Sequence, residues 1–91
     1  MARKYKVCDF DFVRTAKFAP EQYSVYDGRG GRLGTLELKA GIMTLVIDTR
    51  QVYMACTWDV PDINCFHTNE RRERWMTEAA LRLREVLNER K

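Results

Sequence analysis

The chain has 91 residues, of which 45% are hydrophobic and 32% are charged, and its formal net charge is +3. This length allows one small domain with a modest core and leaves little room for a deep, water-excluded active site. The composition is that of a globular protein and excludes a disordered chain. The mild basic excess is smaller than that of a dedicated duplex-DNA-binding protein.

The sequence contains no targeting or membrane-spanning pattern. No apolar run approaches the roughly 20 residues of a transmembrane helix, so no membrane partner is expected. The first residues, MARKYKV, carry charge without a following apolar segment, so we expect no secretory signal. Three cysteines, an odd number, then indicate reduced thiols and a cytoplasmic protein, or one of the host cytoplasm if a phage encodes it.

Alternating apolar and polar residues predict the first strands. The stretch YKVCDFDFV, taken as one strand, places Cys8, Phe10 and Phe12 on one face. In EQYSVYD, Tyr23 and Val25 share one face. The intervening RTAKFAPE breaks the pattern, and DGRGGR is a predicted hairpin loop because Asp-Gly and Gly-Gly permit positive φ.

The next stretches continue the same architecture. LGTLELKAG is the clearest strand, with Leu36 and Leu38 directed inward. The short turns AG and DTR lead into the apolar run IMTLVID and then into QVYMACTW, one face of which would consist of Val52, Met54, Cys56 and Trp58. Such short connections predict an antiparallel meander.

The C-terminal third has the period of a helix. Apolar residues at three- and four-residue spacing form one stripe: Trp75, Met76, Ala79, Ala80, Leu83, Val86 and Leu87. Thr68 or Asn69 is a suitable N-cap. The predicted fold class is α+β, a small antiparallel β-meander of four to five strands with one C-terminal amphipathic helix packed on one face. We expect a single domain over 1–91, with the meander at about 5–58, a loop at 59–68 and the helix at about 69–89.

Cysteine and histidine do not form a recognisable metal site. Cys8, Cys56, Cys65 and His67 are possible zinc ligands, but they lack the closely spaced cysteine pair of structural zinc sites. Cys8 and Cys56 also fall in the inward sets of their strands, where a cysteine acts as a small hydrophobe. We therefore expect core cysteines, no metal and no cofactor.

Catalytic constellations are equally weak. Ser24, the only serine, lies in mid-strand, and Cys65 with His67 has no third group to orient the imidazole. Glu37 and Lys39 share the outward face of their strand, as in the Glu-x-Lys arrangement of many metal-dependent nucleases. That pattern is also common on any amphipathic strand, so no catalytic residue is assigned and we expect no enzyme.

Two groups of residues are candidates for binding an anion. Arg71, Arg72 and Arg74 load a helix start, where the backbone dipole favours acids. One possibility is that these arginines pair with Asp59 or Asp62 of the preceding loop. The other is that they bind an anion, because helix N–H groups and arginine guanidinium groups both bind phosphate.

The second group lies in and beside the glycine-rich loop. Arg29 and Arg32 stand among the glycines of this loop. The spacing of these glycines does not match a nucleotide-binding fingerprint, and it favours a plain hairpin. Tyr26 and Tyr53 are candidates for an exposed stacking surface, since aromatic and basic residues together favour nucleotides.

Three stretches, FAPEQYSVYD, GRLGTLELKAG and CFHTNERRERW, occur in this order along the chain. They resemble a group of short uncharacterised proteins of bacteria and their phages, whose members have an Ala-Pro-Glu-Gln-Tyr start, a Gly-x-Leu-x-Leu strand and a Cys-Phe before a charged helix. His67, Arg71 and Arg72 depart from the acidic helix start of that group. The resemblance implies a phage or mobile-element context, in which small proteins act by binding and blocking.

These observations predict a non-catalytic small binding protein of phage or mobile-element type. It would bind or sequester an anionic small molecule such as a nucleotide signal, or block a host defence protein. The alternatives are a nucleic-acid-binding regulator and, more distantly, a metal-dependent nuclease. Open sheet edges favour a homo-oligomer. The candidate ligand-binding residues are Arg71, Arg72, Arg74, His67, Arg29, Arg32, Tyr26 and Tyr53.

Overall fold

A computed structural model describes residues 3–16, 20–57, 66 and 68–89. Its elements are β1 (Lys4–Val7), β2 (Phe10–Arg14), β3 (Glu21–Tyr26), β4 (Arg32–Lys39), β5 (Ile42–Ile47), β6 (Arg50–Cys56) and α1 (Asn69–Glu89). The strands form one sheet in chain order, and every neighbouring pair is antiparallel. The predicted α+β class, a meander with one C-terminal helix, is confirmed.

The sheet has six strands because the predicted first strand is a hairpin. Cys8 and Asp9 both have positive φ, 49° and 70°, as a two-residue type I′ turn requires. Val7 therefore pairs with Phe10, and β1 folds back on β2. Neither residue is a glycine, and Asp9 alone is a weaker turn signal than the Asp-Gly and Gly-Gly pairs of the β3–β4 loop. The half-buried Cys8 lies in this turn and not, as expected, in the inward set of a strand.

The predicted turns AG and DTR are tight hairpins of the same kind. Ala40 and Gly41 have φ of 54° and 77°, and Asp48 and Thr49 have φ of 50° and 66°. Positive φ at both turn positions matches the right-handed twist of the flanking strands. The β3–β4 connection is longer, and Asp27 closes it through a backbone hydrogen bond from its N–H to the Gly31 carbonyl (2.8 Å).

The inward face of β6 differs from the sequence prediction. Tyr53 pairs with the buried Leu45 and packs against the core, whereas Met54 is 57% exposed and Cys56 is exposed. The expectation of a core Cys56 is therefore wrong. Both alternating sets of β6 are apolar, so alternation alone does not decide between them. Pairing with β5 determines which set faces the core. The register shifts between Leu45 and Val46, and this β-bulge leaves Val52 without a paired residue on β5.

The core lies between one face of the sheet and α1. The strands contribute Phe10, Phe12, Tyr23, Val25, Leu36, Leu38, Met43, Leu45 and Ile47, and the predicted helix stripe contributes Met76, Ala79, Ala80, Leu83 and Val86. Phe66 completes the set. The opposite face of the sheet is covered by no helix or strand of the described residues. Within those residues, no helix is long and apolar enough to cross a membrane.

Candidate functional site

The helix start is held by contacts within the chain. The Thr68 hydroxyl accepts a hydrogen bond from the Arg71 N–H (3.2 Å), so Thr68 is the N-cap, as predicted. The Arg71 guanidinium donates to the Thr57 carbonyl (3.1 Å), which ties the helix to the end of β6. The Arg74 guanidinium lies 5.4 Å from the centre of the Trp75 ring, within the range of a cation–π contact.

Arg72 forms a buried ion pair with Glu21, the first residue of β3. Its Nε lies 2.6 Å from Oε1 of Glu21, and its Nη2 donates to Oε2 (3.3 Å). Its Nη1 donates to Oδ1 of Asn69 (2.6 Å). Glu21 is 0% exposed and Arg72 is 7% exposed. All three terminal nitrogens of Arg72 thus have a partner within the protein.

Further donors complete the environment of the Glu21 carboxylate. The Tyr23 hydroxyl donates to Oε1, and the Phe66 N–H donates to Oε2 (2.8 Å). Burial raises the pKa of Glu21, but the hydrogen bonds from Arg72, Tyr23 and Phe66 outweigh it and hold that pKa below its usual value. Burial, together with the same carboxylate, raises the pKa of Tyr23 above its ordinary range. The Glu21 cluster therefore consists of an ionised carboxylate, a cation and a neutral phenol.

The Glu21 cluster was not predicted from the sequence. The predicted partners of the helix-start arginines, Asp59 and Asp62, lie outside the described residues, as does His67. A signal was nevertheless present, because Glu21 has the same strand parity as Tyr23 and Val25, which the sequence directs inward. A carboxylate buried at that position needs a cationic partner.

A second group of candidate residues lies on the uncovered face. Tyr26 ends β3 and pairs across the strands with Arg32, which begins β4. Arg29 lies in the loop between them. Arg29 and Arg32 are exposed and Tyr26 is half-buried. Among the described residues, neither guanidinium has a hydrogen bond or an ion pair.

The loop that carries Arg29 is shaped by Asp27. Its Oδ1 accepts hydrogen bonds from the backbone N–H groups of Gly31 and Arg29, both at 2.8 Å. These backbone donors hold the pKa of Asp27 below its usual value, so the carboxylate stays ionised. An added Cβ at Gly31 would lie 2.8 Å from Oδ2 of Asp27, so a larger residue there would displace the Asp27 carboxylate.

The register extends this group across four strands. Lys6 of β1 pairs with Asp11 of β2, and Asp11 pairs with Tyr26, which pairs with Arg32. Since paired residues lie on the same face, Lys6, Asp11, Tyr26 and Arg32 form one row, in which Tyr26 lies between Asp11 and Arg32. Lys4 forms an ion pair with Asp11, the acidic residue of this row, and its Nζ lies 3.7 Å from Oδ2 of Asp11. We call Lys6, Tyr26, Arg29 and Arg32 the Tyr26 surface.

The two groups lie at opposite ends of the sheet. Arg72 contacts the first residue of the six-residue strand β3, and Tyr26 is the last. At about 3.3 Å per residue these ends are roughly 17 Å apart. The structure thus brings Tyr26, Arg29 and Arg32 together and places Arg71, Arg72 and Arg74 elsewhere. Tyr53, expected on an exposed surface, is half-buried and packs against the core from β6.

The chain offers little for metal chemistry in the parts described. No group of three or more His, Cys, Asp or Glu residues there is arranged to hold a metal ion. Comparison with protein-family models, with curated proteins and with solved structures found no match. Any functional conclusion therefore depends on the geometry of the surfaces.

Proposed function

We propose that the protein is a non-catalytic binding protein for an anionic nucleotide, which it holds on the uncovered face of the sheet at the Tyr26 surface. The observation that carries the proposal is the register of β3 and β4, which pairs Tyr26 with Arg32 beside the Arg29 loop. An aromatic ring beside two arginine side chains matches a ligand with a flat base and a phosphate.

Unsatisfied hydrogen-bonding capacity separates this surface from the buried Arg72 of the helix start. The guanidinium groups of Arg29 and Arg32 are exposed and have no partner among the described residues. A guanidinium binds phosphate through two parallel N–H donors, a geometry that a solvated arginine retains. At the helix start, by contrast, Arg72 has used its donors on Glu21 and Asn69.

Calorimetric titration with a panel of nucleoside monophosphates and dinucleotides tests the proposal. Replacing Arg32 by Gln removes a charge-assisted contact worth about 1.5–3 kcal/mol, so affinity should fall roughly 10- to 100-fold. Lys39→Gln is the matched control, because Lys39 is an exposed cation at the other end of the same strand. Tyr26→Ala should weaken binding through lost stacking.

Two results would overturn the assignment. One is the absence of binding to every nucleotide in the panel at low salt. The other is an equal loss of affinity in Arg32→Gln and Lys39→Gln, which would indicate general charge attraction without a site.

A further inference from the structure

We infer that Glu37 and Gln22 form a second subsite that selects a guanine base, so that the ligand is a short single strand of nucleic acid containing guanine. This inference rests on the proposed function and specifies its ligand class. It is carried by a carboxylate–amide pair on the same uncovered face as the Tyr26 surface.

Glu37 and Gln22 face each other across β4 and β3. They are paired in the register, and Nε2 of Gln22 donates to Oε2 of Glu37 (2.7 Å). Both side chains are half-buried, and they line a shallow depression of about 200 Å³ together with Thr15, Thr35, Thr44 and Val46. No described group donates to Oε1 of Glu37, and no described cation forms an ion pair with it.

The chemistry of this pair favours one base. A carboxylate only accepts hydrogen bonds, and each of its oxygens has room for more than one. The Watson–Crick edge of guanine presents two adjacent donors, N1–H and the N2 amino group, which match the two oxygens of Glu37. Adenine, cytosine and uracil each present a single donor group beside acceptors, and an acceptor there faces the carboxylate unfavourably.

Charge also determines how a ligand lies on the face. A phosphate is repelled by Glu37 and attracted by Arg32, both of which belong to β4. A nucleotide chain is therefore expected to place phosphate at the Tyr26 surface and a base at Glu37. This arrangement assigns opposite ends of the face to the two chemical parts of one ligand.

The separation of the subsites indicates a chain of nucleotides. Gln22 and Tyr26 are four residues apart on β3, which is about 13 Å at 3.3 Å per residue. Ser24 and Thr35, which pair with each other, lie between the two subsites on the same face. With one base stacked on Tyr26 and another at Glu37, a single nucleotide does not fill both subsites, whereas a short strand does.

Fluorescence anisotropy with labelled single-stranded tetranucleotides tests the inference. We expect a strand with one guanine to bind at least 10-fold more tightly than an all-adenine strand. Replacing that guanine by hypoxanthine, which lacks the N2 amino group, should lose most of this preference. Glu37→Gln should abolish it, since glutamine replaces one acceptor by a donor, while Oε1 of the new side chain can still accept from Gln22. Glu78→Gln, an exposed helix variant, should retain it.

The outcomes separate this inference from the proposed function. Equal binding of guanine and all-adenine strands, or a guanine preference that survives Glu37→Gln, overturns the guanine subsite. If Arg32→Gln still weakens binding in that case, the nucleotide-binding function stands without it. Absence of binding to all strands and all mononucleotides overturns both.

Discussion

Removing the charge of Glu21 is the sharpest test of how the helix is attached to the sheet. In Glu21→Gln the side chain keeps its shape, but Arg72 remains a cation that is 7% exposed and has lost its counter-ion. The glutamine NH2 group also faces groups that already donate: the Arg72 guanidinium together with either the Tyr23 hydroxyl or the Phe66 N–H, depending on which oxygen it replaces. Both effects act only in the folded state.

The magnitude follows from the burial of the pair. Leaving one member of a buried ion pair without its partner costs about 3–5 kcal/mol. A domain of 91 residues has a total stability of about 5–14 kcal/mol at 0.05–0.15 kcal/mol per residue. We therefore expect Glu21→Gln to remove about a fifth or more of the free energy of unfolding, and in a marginal chain to leave it partly unfolded.

Urea unfolding followed by circular dichroism measures this cost through linear extrapolation. Glu78→Gln, on the exposed side of α1, should change stability by less than about 0.5 kcal/mol. The double variant Glu21→Leu/Arg72→Met should recover only part of the loss, since apolar replacement of a buried ion pair is often neutral but the Tyr23 hydroxyl and the Phe66 N–H lose their acceptor. A cost below about 1 kcal/mol for Glu21→Gln would contradict a buried Glu21–Arg72 ion pair, because it would mean that Arg72 is solvated.

Three further predictions concern the fold. Folding lowers the pKa of Glu21, so the free energy of unfolding should be constant above the pKa of the unfolded carboxylate and should decrease as the pH falls below it. Urea unfolding at a series of acidic pH values measures this dependence, which should be weaker in Glu21→Gln. Gly34→Ala should destabilise by about 1–3 kcal/mol or more, because the new Cβ would lie 1.9 Å from the Val46 carbonyl oxygen; thermal melting would show it, and an unchanged melting temperature would contradict the β4–β5 contact. Met54→Asp should be tolerated and Tyr53→Asp should not, by urea unfolding, and the reverse order would contradict the observed face of β6.

Alternation predicted most of the sheet where only one set of residues in a strand is apolar. In β4 the inward Leu36 and Leu38 alternate with Thr35 and Glu37, so one face is unambiguous. The helix stripe is equally clear, since Met76 and the other buried residues of α1 recur at helical spacing. In both cases burying apolar surface leaves only one orientation of the element.

The failures have equally local causes. The β1–β2 turn consists of Cys8 and Asp9, and these residue types predict positive φ less strongly than glycine does. In β6 both faces are apolar, and only pairing with β5 selects Tyr53 for the core. Glu21 and Arg72 are 51 residues apart, and no local pattern links residues at that distance.

The candidate site was predictable only in part. The sequence places Arg29 and Arg32 in one loop and marks Tyr26 as a candidate stacking residue, and the register of β3 with β4 is what pairs Tyr26 with Arg32. In the sequence, the outward position of Glu37 fits the Glu-x-Lys pattern of a nuclease and gives no indication of a binding subsite. Its neighbour Gln22 has significance only through cross-strand pairing, which depends on tertiary structure.

We propose that the uncovered sheet face binds a nucleotide ligand at Tyr26 and Arg32. The most direct measurement is a two-dimensional NMR titration of isotope-labelled protein with a guanine-containing tetranucleotide. We predict saturable shifts of the backbone amides of Tyr26, Arg29, Arg32 and Glu37, with Arg74 at the helix start unchanged. Shifts confined to the helix start, or no shifts at the highest ligand concentration, would contradict nucleotide binding at the Tyr26 surface.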